Sequence, residues 1–266
     1  MLKKIIIDNY LYEYEVRGQG QPFWLFLHGF MGSHADFANI KPQGTCIYLN
    51  LLGFGQKQPI IAKTRMTIQS QVQDLAQILT ELAIDKVNLV GYSMGGRLAI
   101  AFALTYPTMI EQLFLESTTA GIGSAIKRQA RQISDQQKAQ QIRKLGLENF
   151  VTNWEQLPLF ATQMMLTTEQ RIFMHQQRIS HNKLNVANSL EMMGTGQQPN
   201  YWPKLANLQV KTVIIVGAFD QKFTTIGKQM AELLPNSQLV VMQGAGHNVH
   251  FEQPNAYSEV LTRSEN

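Results

Sequence analysis

The chain has 266 residues, of which 44% are hydrophobic, and it carries 23 Lys and Arg against 19 Asp and Glu, a formal charge of +4. This composition excludes a disordered chain, and the length suits one large α/β domain or two small ones. The longest apolar run, residues 98–104, is far shorter than the ~18 residues of a membrane span, and no run of basic residues exceeds two. We therefore expect no membrane insertion and no nucleic-acid partner.

Short apolar runs alternate with helical patterns along most of the chain. Eight strands are predicted, at residues 5–8, 12–16, 23–27, 46–49, 87–91, 113–116, 212–217 and 238–242. Residues 67–82 repeat apolar side chains every three or four positions, which predicts an amphipathic helix, and residues 94–106 are apolar almost all round, which predicts a buried one. This alternation predicts a mostly parallel sheet flanked by helices.

The sequence contains a single cysteine, Cys46, within a predicted strand. It cannot form a disulfide within the chain, so we expect a small core side chain and a reducing compartment. The stretch at residues 1–8 has too short an apolar core for a signal peptide. These features predict a cytoplasmic protein.

The middle of the chain differs from the rest. Residues 127–193 show no strand pattern but several helical ones, between the sixth and seventh predicted strands. We predict a helical lid at residues 119–205, inserted into a single core domain made of residues 1–118 and 206–266. The lid has ten basic and five acidic residues, whereas the remainder has thirteen and fourteen, so the excess positive charge belongs to the lid.

The motif Gly91-Tyr-Ser-Met-Gly95 lies between a predicted strand and the buried helix. This is the G-x-S-x-G pattern of a nucleophile elbow, a sharp turn that raises the serine hydroxyl above the sheet edge and tolerates only small neighbours. It predicts an α/β-hydrolase fold with Ser93 as the reactive side chain.

A serine needs a histidine and an acid to activate it, and in this fold the chain order is serine, acid, histidine. Asp220 follows the seventh predicted strand and has no acidic competitor within ten residues on either side, and His247 follows the eighth strand. His250 also falls in this region, but we expect it to be a surface or cap histidine. The predicted triad is Ser93, Asp220 and His247.

The loop Leu27-His28-Gly29-Phe30 follows the third predicted strand. It can aim the backbone N–H of Phe30 at the serine, and the N–H of Met94 would be the second donor of an oxyanion hole. His28 is expected to be structural.

Four longer motifs are more specific than the elbow. They are Gly91-Tyr-Ser-Met-Gly-Gly-Arg97, Glu116-Ser-Thr-Thr-Ala-Gly-Ile122, Trp154-Glu-Gln-Leu-Pro-Leu-Phe160 and Gly194-Thr-Gly-Gln-Gln-Pro-Asn-Tyr-Trp202. With them the chain resembles the 2-succinyl-6-hydroxy-2,4-cyclohexadiene-1-carboxylate synthases of menaquinone biosynthesis, over nearly its whole length. The resemblance implies a lyase that eliminates pyruvate from 2-succinyl-5-enolpyruvyl-6-hydroxy-3-cyclohexene-1-carboxylate.

The resemblance also implies a small substrate with three carboxylates. Carried over motif by motif, the substrate-binding candidates are Arg97, Arg131, Arg178, the weaker Lys222, and the aromatic Tyr92 and Trp154. Arginine suits this role because its planar fork pairs with both oxygens of a carboxylate. No metal-ligand spacing and no dinucleotide-binding glycine pattern is present, so no metal or organic cofactor is expected.

One stretch departs from the family pattern. Residues 50–56 read Asn-Leu-Leu-Gly-Phe-Gly-Gln, where the family usually has Asp-x-Pro-Gly-His-Gly-x-Ser. We expect this change to affect packing or substrate fit at the rim of the site.

Two alternative functions stay open, namely a carboxylesterase or C–C bond hydrolase that uses the same triad, and a non-catalytic ligand sensor on the same fold. No oligomeric state is predicted.

Overall fold

The computed structural model describes residues 1–263, which contain one eight-stranded sheet. The strands are β1 (Lys3–Ile7), β2 (Tyr10–Arg17), β3 (Phe23–Leu27), β4 (Thr45–Leu49), β5 (Val87–Tyr92), β6 (Ile110–Glu116), β7 (Thr212–Gly217) and β8 (Ser237–Met242). Their order across the sheet is β1-β2-β4-β3-β5-β6-β7-β8. The pairs β1–β2 and β2–β4 are antiparallel, and the other pairs are parallel.

Helices cover the sheet and fill the middle of the chain. They are α1 (Ile68–Glu81), α2 (Met94–Thr105), α3 (Ala125–Leu145), α4 (Leu147–Trp154), α5 (Thr168–Ile179), α6 (Lys183–Met193), α7 (Gln221–Leu233), α8 (Val249–Glu252) and α9 (Pro254–Arg263). Within residues 1–263, no helix combines the length and apolar character needed to cross a bilayer.

The predicted α/β architecture is confirmed, since every predicted strand falls within an observed one apart from a single residue. That residue is Asp8, which has φ +47° and turns the chain into β2. The central strands are apolar because both sheet faces are covered: every residue of β5 is buried. The core formed by residues 1–263 has two hydrophobic clusters. Val87 and Leu89 pack in one of them, and Val90 and Tyr92 pack in the second.

The parallel strands bring their carboxyl ends to one edge of the sheet. Leu27 at the end of β3 pairs with Gly91 of β5, and Tyr92 pairs with Glu116 at the end of β6. Gly217 at the end of β7 likewise pairs with Met242 of β8. The loops that follow these strands therefore meet above one edge, where ligand sites form in α/β sheets.

The segment between β6 and β7 contains α3 to α6 and, among its described residues, no strand. Its two ends are tied together, because the Tyr201 N–H donates to the Ala120 carbonyl at 2.8 Å and the Trp202 indole N–H donates to the Gly121 carbonyl at 2.8 Å. This agrees with a helical insertion, although the lid boundaries at 119 and 205 stay a prediction.

A charged cluster joins this insertion to the core. The Arg143 guanidinium of α3 donates to both carboxylate oxygens of Glu191 on α6, at 2.8 and 2.6 Å. The Lys63 ammonium, from the turn before α1, lies 2.9 Å from the same carboxylate. The hydrogen bonds from Arg143 lower the pKa of Glu191 to about 2.

We expect Glu191→Gln to lower the free energy of unfolding by about 1–2 kcal/mol at pH 7, after allowance for partial solvent screening. A carboxyl group whose pKa is lowered in the folded state stabilises the protein at pH values above the ordinary pKa of the group. This stabilisation is lost as the pH falls and the carboxylate takes up a proton. The difference between wild type and variant should therefore shrink as the pH falls from about 5 towards 2. Urea denaturation at several pH values measures it, and Glu259→Gln, in an exposed pair with Arg263, is the control. A difference independent of pH would contradict the assignment.

Candidate active site

The turn between β5 and α2 holds Ser93 in a strained backbone conformation, with φ +49° and ψ −101°. A side chain disfavours this region, so the surroundings must hold it. The Ser93 N–H donates to the Glu116 carbonyl at 2.9 Å, and the Thr118 hydroxyl donates to the Ser93 carbonyl at 2.8 Å. A Cβ at Gly95 would collide with the backbone of Leu27, so only glycine allows α2 to approach β3 so closely.

The three predicted triad residues form one hydrogen-bonded chain. The Nε2 atom of His247 lies 3.2 Å from the Ser93 hydroxyl oxygen, and its Nδ1 atom lies 2.7 Å from Oδ2 of Asp220. The other carboxylate oxygen of Asp220 accepts the Phe223 N–H at 3.0 Å, which caps α7. Both His247 and Asp220 are buried. The cap fixes the carboxylate, and the carboxylate orients the imidazole towards the serine.

A cavity of about 260 Å³ opens beside Ser93. It is lined by ten of the eleven predicted site residues, which are Phe30, Tyr92, Ser93, Met94, Arg97, Arg131, Trp154, Arg178, Lys222 and His247. The eleventh, Asp220, contacts His247 instead. The fold thus brings the predicted residues together, and the volume suits a small molecule.

The two predicted oxyanion donors border this cavity. Met94 is the first residue of α2, where a backbone N–H has no acceptor within the helix. Phe30 follows Gly29, at which a Cβ would lie 2.6 Å from Cε1 of Tyr92, so this loop can pack against the tyrosine ring only with glycine there. The catalytic role of the two N–H groups stays a prediction.

Arg97 and Arg131 line the cavity from two different helices. Arg97, on α2, is buried and donates to the Met193 carbonyl of α6 at 2.5 Å. Burial lowers the pKa of Arg97 to about 10, so it keeps its charge at neutral pH. Arg131, on α3, donates its Nε–H to both oxygens of the buried Asp135, at 2.8 and 2.9 Å. Because that carboxylate engages Nε, a second anion can approach the two outer nitrogens.

Arg178, on α5, is buried between polar and aromatic partners. Its guanidinium donates to Glu155 at 2.6 Å and to the Gln163 side chain at 3.1 Å. The same guanidinium lies 5.2 Å from the ring centroid of Trp154, and the tilted rings of Trp154 and Phe160 have their centroids 4.1 Å apart. The arginine is therefore preorganised at the cavity wall.

The other two candidates differ in burial. Lys222 is exposed, and its ammonium lies 5.2 Å from the ring centroid of Phe223. Tyr92 is buried, with its ring edge-on to His250 at 4.9 Å, and burial raises the pKa of its hydroxyl.

Sequence reasoning missed three charged residues of the cavity, Lys138, Asp135 and Asp36. Lys138 follows Arg131 by seven positions on α3, so helical spacing alone could have placed both on one face. Burial lowers the pKa of Lys138 and raises that of Asp36 to about 6. Asp36 belongs to a short turn after β3 and carries no motif that would have pointed to it.

The expectation that His250 lies at the surface or caps a helix is wrong. It is buried, and its Nδ1 and backbone N–H meet the two carboxylate oxygens of buried Glu116 at 2.7 and 3.1 Å. Its ring also stacks on Phe37 at 4.1 Å. His28 is structural as expected, since its Nδ1 meets the Gly29 carbonyl and its Nε2 accepts the Leu51 N–H.

The atypical residues 50–56 lie beside the insertion. Asn50 is buried and accepts the His34 N–H at 2.7 Å, and Asn185 of α6 donates to the Gly53 carbonyl at 3.1 Å. None of the residues 50–56 lines the cavity as the described part of the chain forms it. The departure therefore bears on packing against α6 and not on direct substrate contact.

Among residues 1–263, no group of three or more His, Cys, Asp and Glu side chains could hold a metal ion. The side chains that surround the cavity are instead a serine, an imidazole and several cations. This set suits proton transfer next to a small anion.

Comparisons with known proteins show the fold and the family. A family model described as "alpha/beta hydrolase fold" matches residues 24–254. A Bacillus subtilis (strain 168) protein named "Putative 2-succinyl-6-hydroxy-2,4-cyclohexadiene-1-carboxylate synthase" is 39% identical over 89% of this chain and 87% of that protein. A protein of Enterobacter sp. (strain 638), named as the same synthase, is 31% identical over 92% of each chain. The structure of MenH from S. aureus has a TM-score of 0.89 and 32% identity, covering 95% of this chain and 99% of that one.

Asp220→Asn tests the hydrogen-bonded chain without reference to any substrate. Asparagine is a good helix cap, so the fold should persist, but its side chain cannot stabilise the imidazolium. We expect a fluorophosphonate to label Ser93 at least about a thousandfold more slowly in this variant. Mass spectrometry of the labelled peptide measures the rate, with Asp85→Asn, at an exposed site, as the matched control. Equal labelling rates in wild type and Asp220→Asn would refute the orienting role.

Proposed function

The chain belongs to the 2-succinyl-6-hydroxy-2,4-cyclohexadiene-1-carboxylate synthase family on the α/β-hydrolase fold, and from this membership we propose that it eliminates pyruvate from 2-succinyl-5-enolpyruvyl-6-hydroxy-3-cyclohexene-1-carboxylate. One observation carries the proposal for this chain: the cavity beside Ser93 and His247 is walled by arginines of α2, α3 and α5. Asp135 and Glu155 pair with Arg131 and Arg178 but do not balance all the cations of the cavity, and a small polyanion neutralises the remaining positive charge.

In the proposed reaction, Ser93 is the base. His247 takes the serine proton, and the resulting alkoxide removes the ring proton alpha to the succinyl ketone. Asp220 holds the imidazole in the required tautomer and stabilises the imidazolium. The 3.2 Å separation between Nε2 and the hydroxyl oxygen supports this proton transfer.

The charge that develops on the ketone oxygen requires donors. The backbone N–H groups of Phe30 and Met94 serve as these donors, each contributing about 3 kcal/mol to transition-state stabilisation. The electron pair of the broken C–H bond forms a double bond between ring carbons 2 and 3, the pair of the existing double bond between carbons 3 and 4 shifts to carbons 4 and 5, and the C–O bond at carbon 5 breaks. The enolpyruvyl oxygen leaves with the electron pair of that C–O bond, and the enolate takes a proton on carbon to give pyruvate, which balances the proton that His247 accepted. No water enters and no acyl-enzyme forms.

Substrate recognition is assigned to cations from both parts of the fold. Arg97, Arg131 and Arg178 bind carboxylates of the substrate, with Lys222 as a further cation, and Tyr92 and Trp154 pack against its ring. Support comes from the buried settings of Arg97 and Arg178, where a charge interacts with an anion more strongly than in water. The proposed ligand is therefore a small tricarboxylate.

The proposed location of the protein is the cytoplasm, with which its single cysteine is consistent.

A pyruvate-coupled assay with the enolpyruvyl substrate tests the function. We expect wild type to release pyruvate and Ser93→Ala, with unchanged thermal unfolding, to release none, because the alkoxide that removes the ring proton cannot form. Hydrolysis of p-nitrophenyl acetate should be negligible. Brisk ester hydrolysis without pyruvate release would favour the hydrolase alternative, to which the same Ser-His-Asp geometry is suited. Substrate binding without turnover in wild type would favour a ligand sensor.

Arg131→Lys and Arg178→Lys test anion recognition. Each should lower kcat/KM by more than about fivefold, a loss above about 1 kcal/mol, because lysine cannot reproduce the fork that pairs with a carboxylate. Arg128→Lys, on α3 but away from the cavity lining, is the matched control. Unchanged kinetics in both test variants would show that these arginines do not bind the substrate and have only a structural role.

A further inference from the structure

Lys138 is a cavity cation that none of the family motifs includes. It lies seven residues after Arg131 on α3, which is about two helical turns along the same face. Its side chain is 34% exposed and borders the cavity that contains Ser93.

Lys138 and Arg131 share one counter-ion. The Oδ1 atom of Asp135 lies 2.8 Å from Nε of Arg131 and 3.8 Å from Nζ of Lys138. Among the described residues of this part of the cavity wall, two cations thus share one carboxylate, and the excess positive charge suits a bound anion.

The contacts of the Lys138 ammonium do not use all of its N–H donors. It donates to the Ser134 hydroxyl at 2.8 Å, and its contact with Asp135 at 3.8 Å is long. An ammonium has three N–H donors, so these contacts occupy at most two. Burial lowers the pKa of Lys138, which reflects a setting less polar than water, where an ammonium–carboxylate contact is stronger.

Lys138 also borders a second space. Together with Trp154 and Leu157 it lines both the cavity beside Ser93 and a neighbouring groove of about 240 Å³ between α3 and α4. Its ammonium therefore lies where the cavity and the groove adjoin, and a carboxylate of a ligand in the cavity can contact it.

We propose that Lys138 is a substrate-binding residue that shares one substrate carboxylate with Arg131. The inference rests on the proposed function, in that the substrate carries carboxylates. Arg131 contacts the carboxylate through its planar fork, and Lys138 adds a single charged donor from the cavity wall. Asp135 is a positioning residue that holds both cations on one side of the cavity.

Steady-state kinetics of pyruvate release test the assignment. Lys138→Gln should raise KM about tenfold while kcat changes less than about twofold, because a ground-state contact is lost and the base is untouched. Lys138→Arg should restore KM to within about threefold of wild type. Lys144→Gln, at an exposed position of the same helix, is the matched control and should behave as wild type. An unchanged KM in Lys138→Gln, or no rescue by arginine, would overturn the proposal.

A binding measurement separates this inference from the proposed function. Calorimetric titration of the intact chain with propane-1,2,3-tricarboxylate needs no turnover, and it should show weaker binding to Lys138→Gln than to wild type or Lys144→Gln. If wild type released no pyruvate, the proposed function would fail, but this titration would still decide on Lys138. Equal binding by wild type and Lys138→Gln, or binding by neither, counts against the assignment.

Discussion

The strained turn at Ser93 is the constraint on which the rest of the site depends. A φ of +49° is unfavourable for a serine, so the conformation persists only because the neighbouring strands and α2 hold it. The Ser93 N–H is bound to the Glu116 carbonyl of β6, and Gly95 lets α2 pack directly on Leu27 of β3. The turn thus follows β5 and is held in place by contacts with β6 and β3. It presents the hydroxyl at the sheet edge, where the loop after β8 brings His247 within 3.2 Å.

Hydrogen bonds and ion pairs order the arginines that line the cavity. Each of its arginines is held by an acceptor of the protein: Arg97 by the Met193 carbonyl, Arg131 by Asp135 and Arg178 by Glu155. These contacts order the long side chains in advance, so that less conformational entropy is lost when an anion binds. The acceptors do not balance all the cations, and this excess of positive charge is what suits the cavity to a polyanion.

Much of the site could be predicted because its chemistry has local signatures. A pentapeptide between a strand and a helix marked Ser93, and the chain order after it left few positions for Asp220 and His247. Asp36 has no such signature, and Lys138 shares only a helix face with Arg131, so their positions on the cavity wall are what single them out. The error at His250 has the same origin. A histidine near a helix start is commonly exposed, and only the packing against Glu116 and Phe37 shows that this one is buried.

The sequence by itself determined the order of strands and helices, the interrupted α/β architecture and the elbow, because hydrophobic periodicity and glycine spacing act over a few residues. The tertiary structure decided which charges of the helices between β6 and β7 face the cavity. Most of α3 is polar on several sides, so its periodicity does not define an inner face, and its orientation follows from packing against α6 and the Arg143–Glu191 pair. Contacts between residues far apart in the chain depend on how helices dock, which local spacing does not encode.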